Sequence, residues 1–302
     1  MKYHFTFIII LSGITNTLWS QIPNGEIGGF EYSVIPDIGD TQIDKFAANL
    51  NFGTKLGKNM LRFGVSYTLY DFLYKKDSFV DFDLIPYETI HNIQFRLFYR
   101  YVINDSWSCM LMFSPSISSN LEGSISSNDL LINSIASVSK KWGDTNTFSL
   151  LTFGIGFGTP FGEPQFFPAI SFRKKVNSRW NYALGVPETS LNYTYRERHT
   201  FSGKATFSGL FGNASSSVTL PDASLQTDTK LQYNSLNTGF QYSYRIQPNW
   251  TAVISLGYAP WNRLRVLDND NNELYDIGSN SSFYISMGLK FNLNKMMNEN
   301  KK

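Results

Sequence analysis

Apolar and polar residues alternate along most of this chain, and the alternation returns in segment after segment. Leu61, Phe63, Val65, Tyr67 and Leu69 are set against Arg62, Gly64, Ser66, Thr68 and Tyr70. Ile93, Phe95, Leu97, Tyr99 and Tyr101 are set against Asn92, Gln94, Arg96, Phe98 and Arg100. The same period runs through residues 151–158, 239–246, 250–258 and 282–293. A period of two sends successive side chains to opposite faces of a strand. It predicts strands at 26–36, 43–56, 60–74, 89–103, 107–120, 130–141, 147–158, 166–176, 180–186, 190–196, 200–211, 229–246, 250–266 and 281–293. That is about 14 strands, with 12 as the alternative count, since adjacent short segments can merge.

Alternation alone fits a soluble sandwich, whose apolar face points inward, as well as a membrane barrel, whose apolar face meets lipid. Segment length separates them. Most of these segments reach about ten residues or more, the span a tilted strand needs to cross a bilayer, whereas ordinary strands run nearer five or six. No apolar run of the length of a membrane helix occurs after residue 21. A chain that lives in a membrane without such helices closes its backbone hydrogen bonds as a barrel. The fold expected is therefore all-β, a transmembrane antiparallel up-and-down β-barrel.

Connection lengths fit that picture. Gly57-Lys58-Asn59, Asn104-Asp105-Ser106, Gly143-Asp144-Thr145, Asn177-Ser178-Arg179, Glu197-Arg198 and Gln247-Pro248-Asn249 are short and fall at one end. Residues 75–88, 121–129, 159–165, 212–228 and 267–280 fall at the other and are mostly long. Barrels of this type keep short turns on the periplasmic side and long loops outside. Pro187-Glu188-Thr189 preserves the parity only as a tight turn at the long-loop end. Trp107, Trp142, Trp180 and Trp250 each border a short turn. Indole prefers the membrane–water interface, so these four form an expected aromatic girdle. A weak repeat supports the tiling: Arg100 to Trp107 resembles Arg173 to Trp180, and Arg245 to Trp250 is a shorter version.

Composition adds the setting. Aromatic residues make up 16% of the 302 residues, and mean hydropathy is −0.21. That combination fits apolar residues interleaved with polar ones. Cys109 stands alone, so no intramolecular disulfide forms. A net charge of +2 gives no case for nucleic acid. At the start, Lys2, the apolar run Phe5–Leu11 and the small Ser20 before Gln21 read as a signal peptide over residues 1–20. The barrel then covers 21–293, and 294–302 is a polar tail expected in the periplasm.

The last strand carries the most specific motif, Ser286-Met287-Gly288-Leu289-Lys290-Phe291-Asn292-Leu293. It resembles the terminal-strand signal of outer-membrane proteins, with Ser286, Gly288, Phe291 and Leu293 at the signal positions. The resemblance implies the barrel-assembly machinery as a partner during biogenesis. The chain departs from the pattern by continuing past that strand. Together with the export site at Ser20 and Gln21, the strand–turn–Trp hairpins and the segment Gly185 to Leu191, the layout resembles an uncharacterised outer-membrane β-barrel family of the Bacteroidetes type, known chiefly as a domain of unknown function. The resemblance implies a fold and a location in the cell outer membrane, among its lipids, and no activity.

Candidate chemistry is sparse. After the leader only His91 and His199 remain, neither in a recognisable nucleophile context, and no cluster has metal-ligand spacing. No enzyme activity and no cofactor are expected, and His91 is not expected to face a Ser or Asp. The polar strand face is more informative. Lys55, Arg62, Arg96, Arg100, Arg173, Lys175, Lys204, Arg245 and Lys290 all fall on it, while Asp77, Asp81, Asp83, Glu88, Asp129, Asp268, Asp270 and Glu273 gather in the long loops. A ring of basic side chains in a confined pore favours anions. The leading expectation is a passive channel or small-solute transporter with a basic lumen. The competing one is a structural or surface-binding barrel with a filled lumen. A soluble carrier is the third reading.

Overall fold

The computed structural model describes residues 26–75, 82–144, 146–219 and 225–292. The expected leader with its Ser20/Gln21 site, Asp77 and Asp81, Leu293, and the polar tail lie outside them. Eleven strands come first: β1 (Glu26–Ile38), β2 (Thr41–Leu56), β3 (Asn59–Tyr74), β4 (Thr89–Val102), β5 (Trp107–Ser119), β6 (Leu130–Gly143), β7 (Phe148–Gly158), β8 (Gln165–Lys175), β9 (Trp180–Gly185), β10 (Glu188–Tyr195) and β11 (His199–Ala214). The two-residue strands β12 (Val218–Thr219) and β13 (Leu225–Gln226) follow, then β14 (Thr229–Gln247), β15 (Trp250–Leu267), β16 (Glu273–Gly278) and β17 (Ser282–Asn292).

Fourteen of these close a barrel. Strands β1 to β11 pair in sequence order, β11 pairs with β14, β14 with β15, β15 with β17, and β17 returns to β1. All these pairings are antiparallel, and β16 adds to the edge of β15 at the long-loop end. These are the 14 segments the alternation picks out, with boundaries shifted by a few residues at most. The connection at Pro187 is indeed a tight turn: β10 starts at Glu188, and the Thr189 hydroxyl accepts from the Gly185 N–H and donates to its carbonyl.

The apolar registers point out of the barrel. Phe240, Phe166 and Phe283 are 80%, 72% and 71% exposed, and Val65, Phe95, Leu111, Phe153 and Ile254 stand on the same outer face. Leaving one such side chain in water forgoes about 1.5–3 kcal/mol. A belt of them all round the molecule is stable only against an apolar medium. Adjacent outer rings pack in cross-strand pairs, such as Trp250 with Phe291 at 4.9 Å and Trp180 with Tyr193 at 4.6 Å. No helix among the described residues is long and apolar enough to cross a membrane.

The repeat around the short turns has a local cause. Asn104 Oδ1 accepts the N–H groups of Ser106 and Trp107, and Asn177 Oδ1 does the same for Arg179 and Trp180. An Asn side chain that caps its own turn this way competes with strand continuation and fixes the hairpin. Trp three residues later then opens the next strand.

Candidate functional site

The barrel interior has two parts. Toward the short turns it is polar and basic. Cross-strand partners share a face, and the register Gly53↔Arg62, Lys55↔Met60, Met60↔Arg100 and Gly64↔Arg96 puts Lys55, Arg62, Arg96 and Arg100 on one face. Arg62 and Arg96 line an interior cavity of ≈ 530 Å³ with Asn49, Asn51 and Gln94. Arg96 and Arg173 both line a second of ≈ 870 Å³ nearer the long loops, with Lys175 one register beyond Arg173. Arg245 and Lys290 flank Thr251 from either side, on that same inner face. Lys204 donates to Gln241 at 2.9 Å.

Acids on the inner registers of this region, among the described residues, are Glu26, Glu31 and Glu188. Glu26 pairs with Lys290 at 2.9 Å, which makes Lys290 a braced cation and not a free one. Arg96 donates to Gln94 at 2.9 Å and Arg100 to the Ser108 hydroxyl at 3.3 Å. No ion pair to Arg62, Arg173 or Arg245 occurs among the described residues.

Toward the long loops the interior is apolar, which the alternation did not foretell. Ile38, Ile43, Phe72, Ile90, Leu231 and Leu264 converge from β1 to β4, β14 and β15 and are essentially buried. Phe82, Leu84 and Tyr87 join them from residues 82–88, which turn inward through a 3-10 turn at Ile85–Tyr87. The Tyr87 hydroxyl meets the Thr229 hydroxyl at 2.5 Å across the barrel. Val218 enters from the 212–228 loop. Phe82, Leu84, Tyr87 and Val218 fold in because the wall there offers apolar inner registers to cover, while Ile85 and Leu225 stay exposed.

The wall itself bends to complete this plug. Strands β9 and β10 are short, so β11 loses its β10 neighbour after Thr206. Its remaining stretch leans across the lumen with the first half of β14. Asn213 forms a parallel bridge with Ser119 of β5, and the Asn120 N–H donates to the Asn213 carbonyl at 3.0 Å. A side chain at Gly212 would press on Ile90, its Cβ 2.6 Å from Cγ2. On the back of this β11–β14 lid, Phe211 packs with Leu131 of β6 and with Leu267. Buried polar groups latch it. The Asn213 amide donates to Asp129 at 2.8 Å, and the Lys230 ammonium donates to the Asn213 side-chain oxygen at 2.6 Å and to the Asn128 carbonyl at 3.0 Å. Asp129, one of the long-loop acids, is 1% exposed. Burial pushes its carboxyl up, but hydrogen bonds from Ser119, the Ser126 N–H, Asn213 and the Ser126 hydroxyl outweigh that and hold it below the usual range.

The histidines stand on the outer face. His91 is in register with Ser119, against expectation, but its ring is held by the Tyr67 hydroxyl at 2.8 Å. Ser119 is buried and its hydroxyl serves Asp129, so the carboxylate orients the Ser and not the His. His199 bonds Tyr242 in the same outward fashion. Trp107, Trp142, Trp180 and Trp250 all point outward at the short-turn end, with Lys140 over the Trp107 ring at 5.4 Å. Ser286, Gly288 and Phe291 lie in β17, which seals against β1: Glu31↔Gly288 and Gly28↔Phe291.

Residues 45–292 match the family described as a domain of unknown function, DUF6268. The chain belongs to that family. No curated protein matches the chain in sequence. Solved structures similar to this DUF6268 barrel include the toluene transporter TodX of P. putida, at 9% identity and TM-score 0.41, covering 90% of each chain. A FadL homologue of Pseudomonas aeruginosa is similar at 11% and 0.39, covering 88% of this chain and 89% of that one. LpxR from Salmonella typhimurium is similar at 9% and 0.40, covering 87% and 99%. Identities this low carry no ligand or activity across.

Proposed function

We propose that this DUF6268 chain is an outer-membrane barrel that passes small anionic solutes through a basic lumen, with the β11–β14 lid closing the outer mouth. The observation that carries the reading is the charge on the inner face. Among the described residues no ion pair reaches Arg62, Arg173 or Arg245 there; Arg62 lines the ≈ 530 Å³ cavity and Arg173 the ≈ 870 Å³ one. Confined cations with low-dielectric walls raise the local potential and concentrate anions. The outer apolar belt supports placement in lipid, and the short-turn and long-loop ends support a periplasmic and an external side. The four outward Trp suit a girdle at the periplasmic interface. The terminal β17 edge suits recognition by the assembly machinery through strand pairing.

The test is conductance of the purified barrel in planar bilayers under a salt gradient. Openings with a reversal potential of anion sign are expected, and Arg62→Gln with Arg96→Gln brings the anion-to-cation permeability ratio down by about threefold or more. A cation-selective pore overturns the reading. The buried apolar plug favours a second one, a permanently filled barrel that presents its loops. Absence of conductance even in lid-released variants supports it.

A further inference from the structure

The ≈ 870 Å³ cavity lies in the wedge where β11 leaves the wall, between the back of the lid and the inner face of β4 to β8. Its lining combines cationic, polar and aromatic side chains. Arg96 and Arg173 reach it from the wall, and Asn92 and Gln94 stand beside them. Phe207 faces it from the lid and Phe167 from the long-loop end of β8, with Phe161 of the 159–164 connection set edge-on to both at 6.0 and 5.1 Å. The only acid among its lining residues is Glu188, which is not ion-paired to either arginine.

From this geometry we infer that the wedge is a binding site for a small amphipathic monoanion, an aromatic or short aliphatic carboxylate. Guanidinium groups present a planar fork that matches a carboxylate in geometry and charge. The Phe161, Phe167 and Phe207 rings take the apolar body. The volume falls within the range of about 300–1,000 Å³ typical of small-molecule sites. An inorganic anion satisfies only the arginine side, and a neutral aromatic only the rings. The inference deepens the proposed transport role by naming a ligand class, but binding is read separately from conduction, so either can fail alone.

The experiment is calorimetric titration of the purified full-length barrel in detergent with benzoate, benzamide and inorganic phosphate. Benzoate is expected to bind saturably, at least about tenfold tighter than the other two. Arg173→Gln and Phe207→Ala each weaken benzoate about tenfold, while Lys58→Gln, in an exposed short turn, leaves it within about twofold. Folding of each variant is checked by its heat-sensitive gel mobility, and the three-probe comparison on the unaltered protein needs no variant at all. Equal binding of benzoate and phosphate, equal binding of benzoate and benzamide, or no saturable benzoate binding overturns the site.

Discussion

Replacing Asn213 by Ala should release the lid, and the size of the effect follows from two hydrogen bonds. The Asn213 side chain donates to the Asp129 carboxylate at 2.8 Å and accepts from the Lys230 ammonium at 2.6 Å, at a position 1% exposed. A hydrogen bond to a charged group contributes about 1.5–3 kcal/mol. Asp129 keeps its bond from the Ser126 N–H at 2.7 Å, so the lower end of the combined range, ~3 kcal/mol, is the fair expectation. That is about 150-fold in an equilibrium constant. A lid open roughly one part in a hundred then becomes open about 60% of the time. The assay is open probability of single barrels in planar bilayers at fixed voltage. Asn104→Ala, which removes an Asn of equal size from a short turn, serves as the control and should leave open probability unchanged. A folded Asn213→Ala barrel whose open fraction rises less than about fivefold refutes the assignment of this network as the latch.

Three other outcomes are expected. Gly212→Val drives a branched side chain into Ile90 from 2.6 Å; overpacking costs about 1–3 kcal/mol, and conductance should rise without loss of the barrel's heat-sensitive mobility. The Asp129 carboxyl titrates below its unfolded value of about 3.9, so its contribution to the closed lid is fully present above that pH and is lost as pH falls through the lowered value. Open probability should accordingly stay flat from about pH 8 to 5 and rise only in stronger acid; a midpoint near neutrality contradicts the latch. Gly288→Val places a Cβ 2.7 Å from the Phe30 carbonyl in the β1–β17 seam, where backbone cannot yield without loss of pairing, and should cut the folded fraction recovered in membranes severely, whereas Ser286→Ala at the same strand should not.

The wall of the barrel was legible because one physical rule repeats along it. Residues 61–70 and 92–101 alternate without a break, so parity assigns each side chain to lipid or lumen, and the Arg and Lys positions follow. The turns were legible because Asn104 and Asn177 cap them locally. The lid was not legible, because it depends on contacts far apart in sequence. Nothing local marks Phe82 or Tyr87 as plug residues instead of loop residues. Leu231 and Tyr233 alternate with Lys230 and Gln232 as in any strand, yet here the apolar set faces inward and the polar set is buried under the 121–129 and 159–165 loops. A signal was present in the apolar inner registers Ile43, Phe72 and Ile90, which break the polar lumen pattern toward the long loops. The low wall at β9–β10, which lets β11 lean inward, was visible as two short segments but gave no direction for the lean.

The most direct measurement labels neighbouring registers of one strand. Single cysteines replacing Val65 and Ser66 in a Cys109→Ser background carry a fluorophore in vesicles, with brominated lipid and aqueous iodide as quenchers. Val65 stands on the outer face and is 52% exposed, while Ser66 lines the interior cavity. Bromine quenching at 65 with little iodide access, and iodide quenching at 66 with little from bromine, is the result this architecture requires. Iodide reaching position 65 as readily as 66, or brominated lipid quenching neither, would show that the outer face does not meet acyl chains and would remove the basis for a membrane channel.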